Sequence, residues 1–193
     1  MRLATLFTPM AVPLLLSSAL GCSKKETRTP VALPSVQAGI AMYKSAPGPF
    51  TLRYPSDWSS KPTKTYALLL EREPTSDSAR VTVDVPHIPP HLPGMMTMRL
   101  VVNGYVDDLK KRMSGVSVVE RRDDTLAGTN AQRLVITGCV GTGARQGEQR
   151  MLVALIAIRN EQVYILEADS TPESFEPARD AMAKMARDWE WTK

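Results

Sequence analysis

Two histidines and three methionines fall within twelve residues of this chain, as His87, His91, Met95, Met96 and Met98. Imidazole and thioether groups suit soft ions, so this segment is a candidate site for Cu(I), with His87, His91, Met95 and Met96 as ligands. Spacing works against it. In a polyproline II segment, residues four apart stand roughly 12 Å from each other, so one ion could be shared only if the chain bends at Pro89-Pro90. The same segment, PHIPPHLPG over residues 86–94, holds four prolines and excludes both helix and central strand. It contains two P-x-x-P units, Pro86 to Pro89 and Pro90 to Pro93. Ile88 and Leu92 are then either partner-contact side chains on a pre-ordered loop or apolar residues tucked under it against the core.

Other chemistry is thinly represented. A serine–histidine hydrolase needs a base held by an orienting acid. The only histidines lie in the proline loop, and neither G-x-S-x-G nor H-E-x-x-H occurs. Glycines 138, 141, 143 and 147 are followed by no G-K-[S/T], and the next segment reads as a strand, so they form a hairpin connection rather than a phosphate loop. Cys139, beside those glycines, reads as a small core residue; a reactive thiol would need a positive neighbour, for which Arg145 is the candidate. No catalytic residue and no obligatory cofactor emerge, and the chain reads as a non-enzyme.

The N-terminus carries more information. Arg2 precedes an uncharged apolar run, Leu3 to Leu20, and Ser17, Ser18, Ala19 and Gly21 lead to Cys22. This is the layout of a secretory signal. A membrane-spanning helix needs roughly 20 apolar residues, and Pro9 and Pro13 interrupt this shorter run. Ala19-Leu20-Gly21-Cys22 resembles the lipobox of bacterial lipoproteins, with Ala19 and Leu20 in the reverse of the family's usual order. The resemblance implies cleavage after residue 21, diacylglycerol on the Cys22 sulfur and a membrane-held, envelope-facing protein. Ser23 in place of aspartate favours the outer membrane. Two or more acyl chains anchor stably where one does not, and Lys24, Lys25 and Arg28 can add attraction to an anionic leaflet. With Cys22 acylated only Cys139 remains, which leaves no intramolecular disulfide.

The 193-residue chain has a formal net charge of +4, or +3 once Arg2 leaves with the signal. That charge is interspersed and forms no basic stripe, which argues against a nucleic-acid partner. Residues 22–48, with Pro30, Pro34 and Pro47, read as a tether with a short ordered piece around Ile40–Tyr43. Residues 49–193 are the length of one domain.

Within it, Phe50, Leu52 and Tyr54 alternate with Thr51 and Arg53, and Val81, Val83 and Val85 alternate with Thr82 and Asp84; both are strand patterns. Residues 66–72 form a further apolar run. Met98, Val101, Val102, Tyr105, Leu109 and Met113 recur at helical spacing, with Thr97 as N-cap and Gly115 as C-terminal stop. Strands follow at 116–122, 131–140, 149–159 and 162–169, the third apolar enough to be covered on both faces. Phe175, Ala178, Met182, Met185 and Trp189 form a second helical stripe, expected to begin at or just after Pro177. The pattern predicts an α+β domain: an antiparallel sheet of six to seven strands with two amphipathic helices packed on it.

The opening Phe50–Trp58 (FTLRYPSDW), the central amphipathic helix, the strand pairs after it and the closing Thr171–Phe175 (TPESF) resemble the PsbP-like superfamily, which takes in bacterial lipoproteins of the DcrB type. The likeness runs from about Phe50 to the end of the chain. It implies a PsbP-like α/β/α sandwich and a role in binding, assembly or stabilisation of a partner. In that setting Tyr54 and Trp58 are expected to be core aromatics.

Overall fold

The computed structural model describes residues 39–45, 49–61, 63–72, 79–88, 94, 96–143 and 145–192. Among these residues two sheets and two helices build the domain. The larger sheet has seven strands: β3 (Trp58–Lys61), β4 (Leu68–Arg72), β5 (Arg80–Asp84), β6 (Met113–Leu126), β7 (Thr129–Val140), β8 (Gln149–Arg159) and β9 (Gln162–Ser170). Their spatial order is β3-β4-β5-β9-β8-β7-β6, and every neighbouring pair is antiparallel. The smaller sheet has order β1-β2-β10, from Ile40–Lys44, Phe50–Pro55 and Glu190–Trp191. Helix α1 (Met98–Arg112) joins β5 to β6, and α2 (Phe175–Arg187) precedes β10. This is the expected α+β architecture, with the strands divided between two sheets instead of one.

Period-two patterning decides what each face of the large sheet meets. Val153, Leu155 and Ala157 of β8 and Tyr164, Leu166 and Ala168 of β9 are buried with Phe175, Ala178, Met182 and Met185 of α2 and Phe50 and Leu52 of β2. The alternate residues Leu152, Ala154, Ile156, Val163 and Ile165 pack against Val102 and Leu109 of α1. Strand β8 is therefore covered on both sides, as its unbroken apolar run requires. Trp58 is buried and Tyr54 packs against the same α2-side core, so both are core aromatics.

Local signals explain the boundaries. Thr97 caps α1, its side chain accepting from the Leu100 N–H. The helix stops at Arg112 rather than at Gly115, which instead has a positive φ of 62° inside β6, next to an irregularity in the β6–β7 register between Ser114 and Ser117. The turn between β6 and β7 uses Ala127 and Gly128, and that between β8 and β9 uses Asn160 and Glu161, all four at positive φ as tight hairpin turns demand.

Pro177 does not delay the second helix. A 3-10 turn over Pro172–Ser174 leads directly into α2 at Phe175, which puts Pro177 in the first turn, where a backbone N–H has no helical partner to lose. The ordered piece expected around Ile40–Tyr43 is β1, paired along its length with β2; the tether reading does not extend over these residues. Its Tyr43 hydroxyl donates to the Ala67 carbonyl at 2.5 Å. Phe50 stacks on Trp189 at 4.1 Å, with Tyr164 and Trp191 edge-on around them, so aromatics fasten the small sheet and α2 to the large sheet.

Candidate functional site

The α1 side of the sheet is not fully covered. Residues Val101, Tyr105, Asp108 and Arg112 recur along one flank of α1 and overlook a cleft of about 310 Å³. Its floor comes from Thr82 and Asp84 of β5 and Val163, Ile165 and Glu167 of β9, and its rim from Tyr66, Pro86 and Ile88. The sheet register explains the floor: Thr82 lies opposite Glu167 and Asp84 opposite Ile165, so these four side chains share the face that carries α1.

Polar and apolar groups are both present. Glu167 is 8% exposed, and its Oε2 accepts a hydrogen bond from the Tyr105 hydroxyl at 2.6 Å. Burial pushes the Glu167 carboxyl above its usual range, against the lowering effect of the Tyr105 hydrogen bond. Burial also raises Asp84, again the largest effect on that group. The Tyr105 hydroxyl goes well above the ordinary tyrosine value, first through burial and then through the neighbouring Glu167 charge. It therefore remains a proton donor to Glu167 at any physiological pH. Arg112, the cleft's one basic group among the described residues, pairs with Asp108 at 3.3 Å.

A second set of charges lies further along the same face. Arg150, 2% exposed, donates from Nε to Asp169 Oδ1 at 2.7 Å, and Arg80 Nη2 lies 2.5 Å from Asp169 Oδ2. Glu148 accepts from Arg150 Nη1 at 3.2 Å and from Arg145 Nε and Nη2 at 2.5 and 2.6 Å. This forked Arg145 contact is the main reason the Glu148 carboxyl is held below its usual range. Every charged group here has at least one oppositely charged partner, while Arg80 Nε and Arg150 Nη2 are buried without a hydrogen-bond partner among the described residues; the pairing marks the group as structural.

The residues singled out in sequence are only partly assembled. Ile88 is half-buried, packs against the α1-side core and lines the cleft. His87 beside it is exposed. Met96 and Met98 are half-buried against the α1-side core. Cys22, His91, Leu92 and Met95 lie outside the described residues. No group of three or more His, Cys, Asp or Glu side chains that could hold a metal ion occurs among the described residues.

Cys139 is buried and disulfide-bonded rather than a free thiol, which sets aside both the expectation of an inert thiol and that of a reactive one. Arg145 pairs with Glu148. The glycine-rich segment closes the β7–β8 hairpin, with Gly147 N–H donating to the Val140 carbonyl at 2.8 Å. Gly141 donates to the Arg112 carbonyl at 3.1 Å, and a β-carbon there would stand 2.8 Å from the same oxygen. That close approach requires glycine.

The sequence placed Asp84 on a strand and Tyr105 on the helical stripe, but gave neither of them, nor Glu167, a functional role. A signal was present: Val163, Ile165, Glu167 and Asp169 share a face by period two in a strand whose other face is apolar. Two carboxylates following two core residues on one buried face is an unusual sequence, because buried acids need partners.

No family model matches the chain, and no curated protein matches it. Solved structures do. Cyanobacterial PsbP (CyanoP) from Synechocystis sp. PCC 6803 superposes with a TM-score of 0.59 at 13% identity, covering 84% of this chain and 98% of that one. The Saccharomyces cerevisiae Ran-binding protein Mog1p gives 0.55 at 12% identity, covering 81% and 97%. LpqN of Mycobacterium tuberculosis, described as involved in cell envelope biogenesis, gives 0.53 at 14% identity, covering 82% and 87%. At such identities the likeness speaks for architecture alone, and the architecture is the PsbP-like α+β fold.

Proposed function

We propose that this chain is a non-enzymatic lipoprotein of the bacterial cell envelope, anchored through Cys22, whose PsbP-like domain binds or stabilises a protein partner. The observation that carries the reading is the charged start, short apolar run and small residues ending at Cys22, joined to a domain of this fold. The partner-binding half draws support from the fold's occurrence in a Ran-binding protein and in a protein of envelope biogenesis. Exposed apolar side chains support it further: Ile40 and Met42 on the outer strand of the small sheet, and Val118 and Val119 on the edge strand β6.

The anchor has a direct test. Wild-type protein should partition into the detergent phase of Triton X-114, and Cys22→Ser should move it to the aqueous phase; a variant that stays with detergent sinks the anchor. The disulfide at Cys139 is the rival fate for that sulfur, since Cys22 is the chain's one other cysteine and a sulfur in a thioether cannot also join a disulfide. Intact mass of the mature protein, before and after reduction, separates the two fates of the Cys22 sulfur. For the partner, crosslinking in cells of the native source should recover one envelope protein reproducibly. Recovery of nothing beyond random abundant proteins would count against a dedicated partner.

A further inference from the structure

The cleft beneath α1 combines features that a purely structural seam does not need. Ligand sites are concave, mostly apolar, about 300–1,000 Å³ in volume and furnished with a few convergent polar groups. At about 310 Å³ this cleft sits at the small end of that range. Ile88, Val101 and Ile165 supply apolar wall, while Asp84 and Glu167 supply carboxylates at its floor. We propose that it binds a small organic ammonium ion, the cationic head against Asp84 and Glu167 and the hydrocarbon body against Ile88, Val101 and Ile165. This goes beyond the partner-binding reading and stands or falls without it.

Charge selects the sign of the ligand. Among the described residues three carboxylates face the cleft, from Asp84, Asp108 and Glu167, against one guanidinium, that of Arg112, which Asp108 engages at 3.3 Å. Asp84 is half-buried; the Val85 backbone N–H and the more distant charge of Arg112 offset only part of its burial. Tyr105 occupies one oxygen of Glu167. A bound cation would compensate charge that burial leaves costly, and burial is the leading cause of the raised carboxyl values of both acids.

The walls select an organic ion over a metal. Hard divalent cations take six or more oxygen ligands, whereas here aliphatic side chains stand beside the acids, and no metal-holding cluster exists among the described residues. Tyr66 and Tyr105 on the lining add aromatic surface of the kind ammonium groups favour.

The experiment titrates the purified full chain with three probes of one length, n-hexylammonium, n-hexanol and n-hexanoate, followed by ligand-observed NMR. Hexylammonium should bind about tenfold or more tightly than hexanol, with hexanoate weakest. Asp84→Asn should bring the ammonium down to parity with the alcohol, and Val101→Phe, which fills the cleft, should weaken both. Equal binding of the three probes, no binding of the ammonium, or an unchanged preference in folded Asp84→Asn would overturn the proposal. Should Asp84→Asn not fold, the wild-type ranking and its loss in Val101→Phe decide the matter, and Val101→Phe binding like wild type overturns it.

Discussion

Strands β5 and β9 share a row of side chains on the face that carries α1, running from Arg80 opposite Asp169, through Thr82 opposite Glu167, to Asp84 opposite Ile165. Charge is handled differently at its two ends. At the Asp169 end each oxygen of a carboxylate that is 3% exposed meets a guanidinium, from Arg150 and from Arg80. At the Asp84 end a carboxylate is half-buried beside aliphatic groups, and the nearest buried acid, Glu167, has a tyrosine hydroxyl as its partner. The sheet face is shared; what differs is depth and direct pairing, since Arg112 acts on Asp84 and Glu167 only at a distance. Buried charge is tolerated when paired and fully hydrogen-bonded, and it is a liability or a recognition group when not. Stability and ligand chemistry are thus assigned to adjacent stretches of one pair of strands.

The largest test of that contrast removes the central acid at each end. Asp169→Ala leaves the Arg150 guanidinium, which is almost inaccessible to water, with only its 3.2 Å contact to Glu148, and should cost about 3–5 kcal/mol in urea unfolding, the usual penalty for removing one partner of a buried pair. Glu167→Gln keeps an acceptor for Tyr105 and orphans no cation, so near neutral pH it should leave stability unchanged or raise it. Equal losses in the two variants would mean that the ends are not physically distinct.

The layers were readable from sequence because their signals are long. The α1 stripe from Met98 to Leu109 spans three turns, and the β8 run from Met151 to Ile158 is too uniformly apolar for a one-sided strand. Short elements escaped. β10 is two residues long and β3 four, so neither can display a period, and both exist because larger neighbours offer an edge. Pro177 misled because its position relative to the helix start, not its identity, decides whether it disrupts. The cleft was hidden for another reason. Asp84, Tyr105 and Glu167 are far apart in sequence, and only the β5–β9 register and the placement of α1 bring them together.

An intermediate effect is expected at the rim. Ile88 packs against the α1-side core, so Ile88→Ser should lower stability by about 1–2 kcal/mol, a partial version of the loss at a fully buried aliphatic site. The measurement also decides between the two roles open to this residue. A variant with wild-type stability that no longer recovers a partner by crosslinking would make Ile88 a contact residue instead of a wall of the cleft.

The smallest effect is a difference in pH dependence between the two ends, and its sign follows from linkage. Glu148, part of the paired end, is held below its usual range, chiefly by the Arg145 hydrogen bonds. Its contribution to stability is therefore present above its unfolded-state pKa and is lost as pH falls through the lower folded value. Asp84 and Glu167 are raised by burial, so the folded chain keeps their protons to a higher pH than the unfolded chain does. Their contribution is complete below the unfolded carboxylate pKa and is lost as pH rises through the higher folded value. Unfolding free energies of wild type, Glu148→Gln and Glu167→Gln, compared at about pH 3.5 and about pH 7, should then move in opposite directions. The advantage of wild type over Glu148→Gln should shrink at the acid end, and it should not exceed about 1 kcal/mol because the pairs are partly open to solvent. Wild type should instead gain on Glu167→Gln at the acid end, where Glu167 is protonated in both folded and unfolded chains. If both differences change in the same direction, the carboxylates at the two ends sit in equivalent environments and the division of the sheet face is wrong.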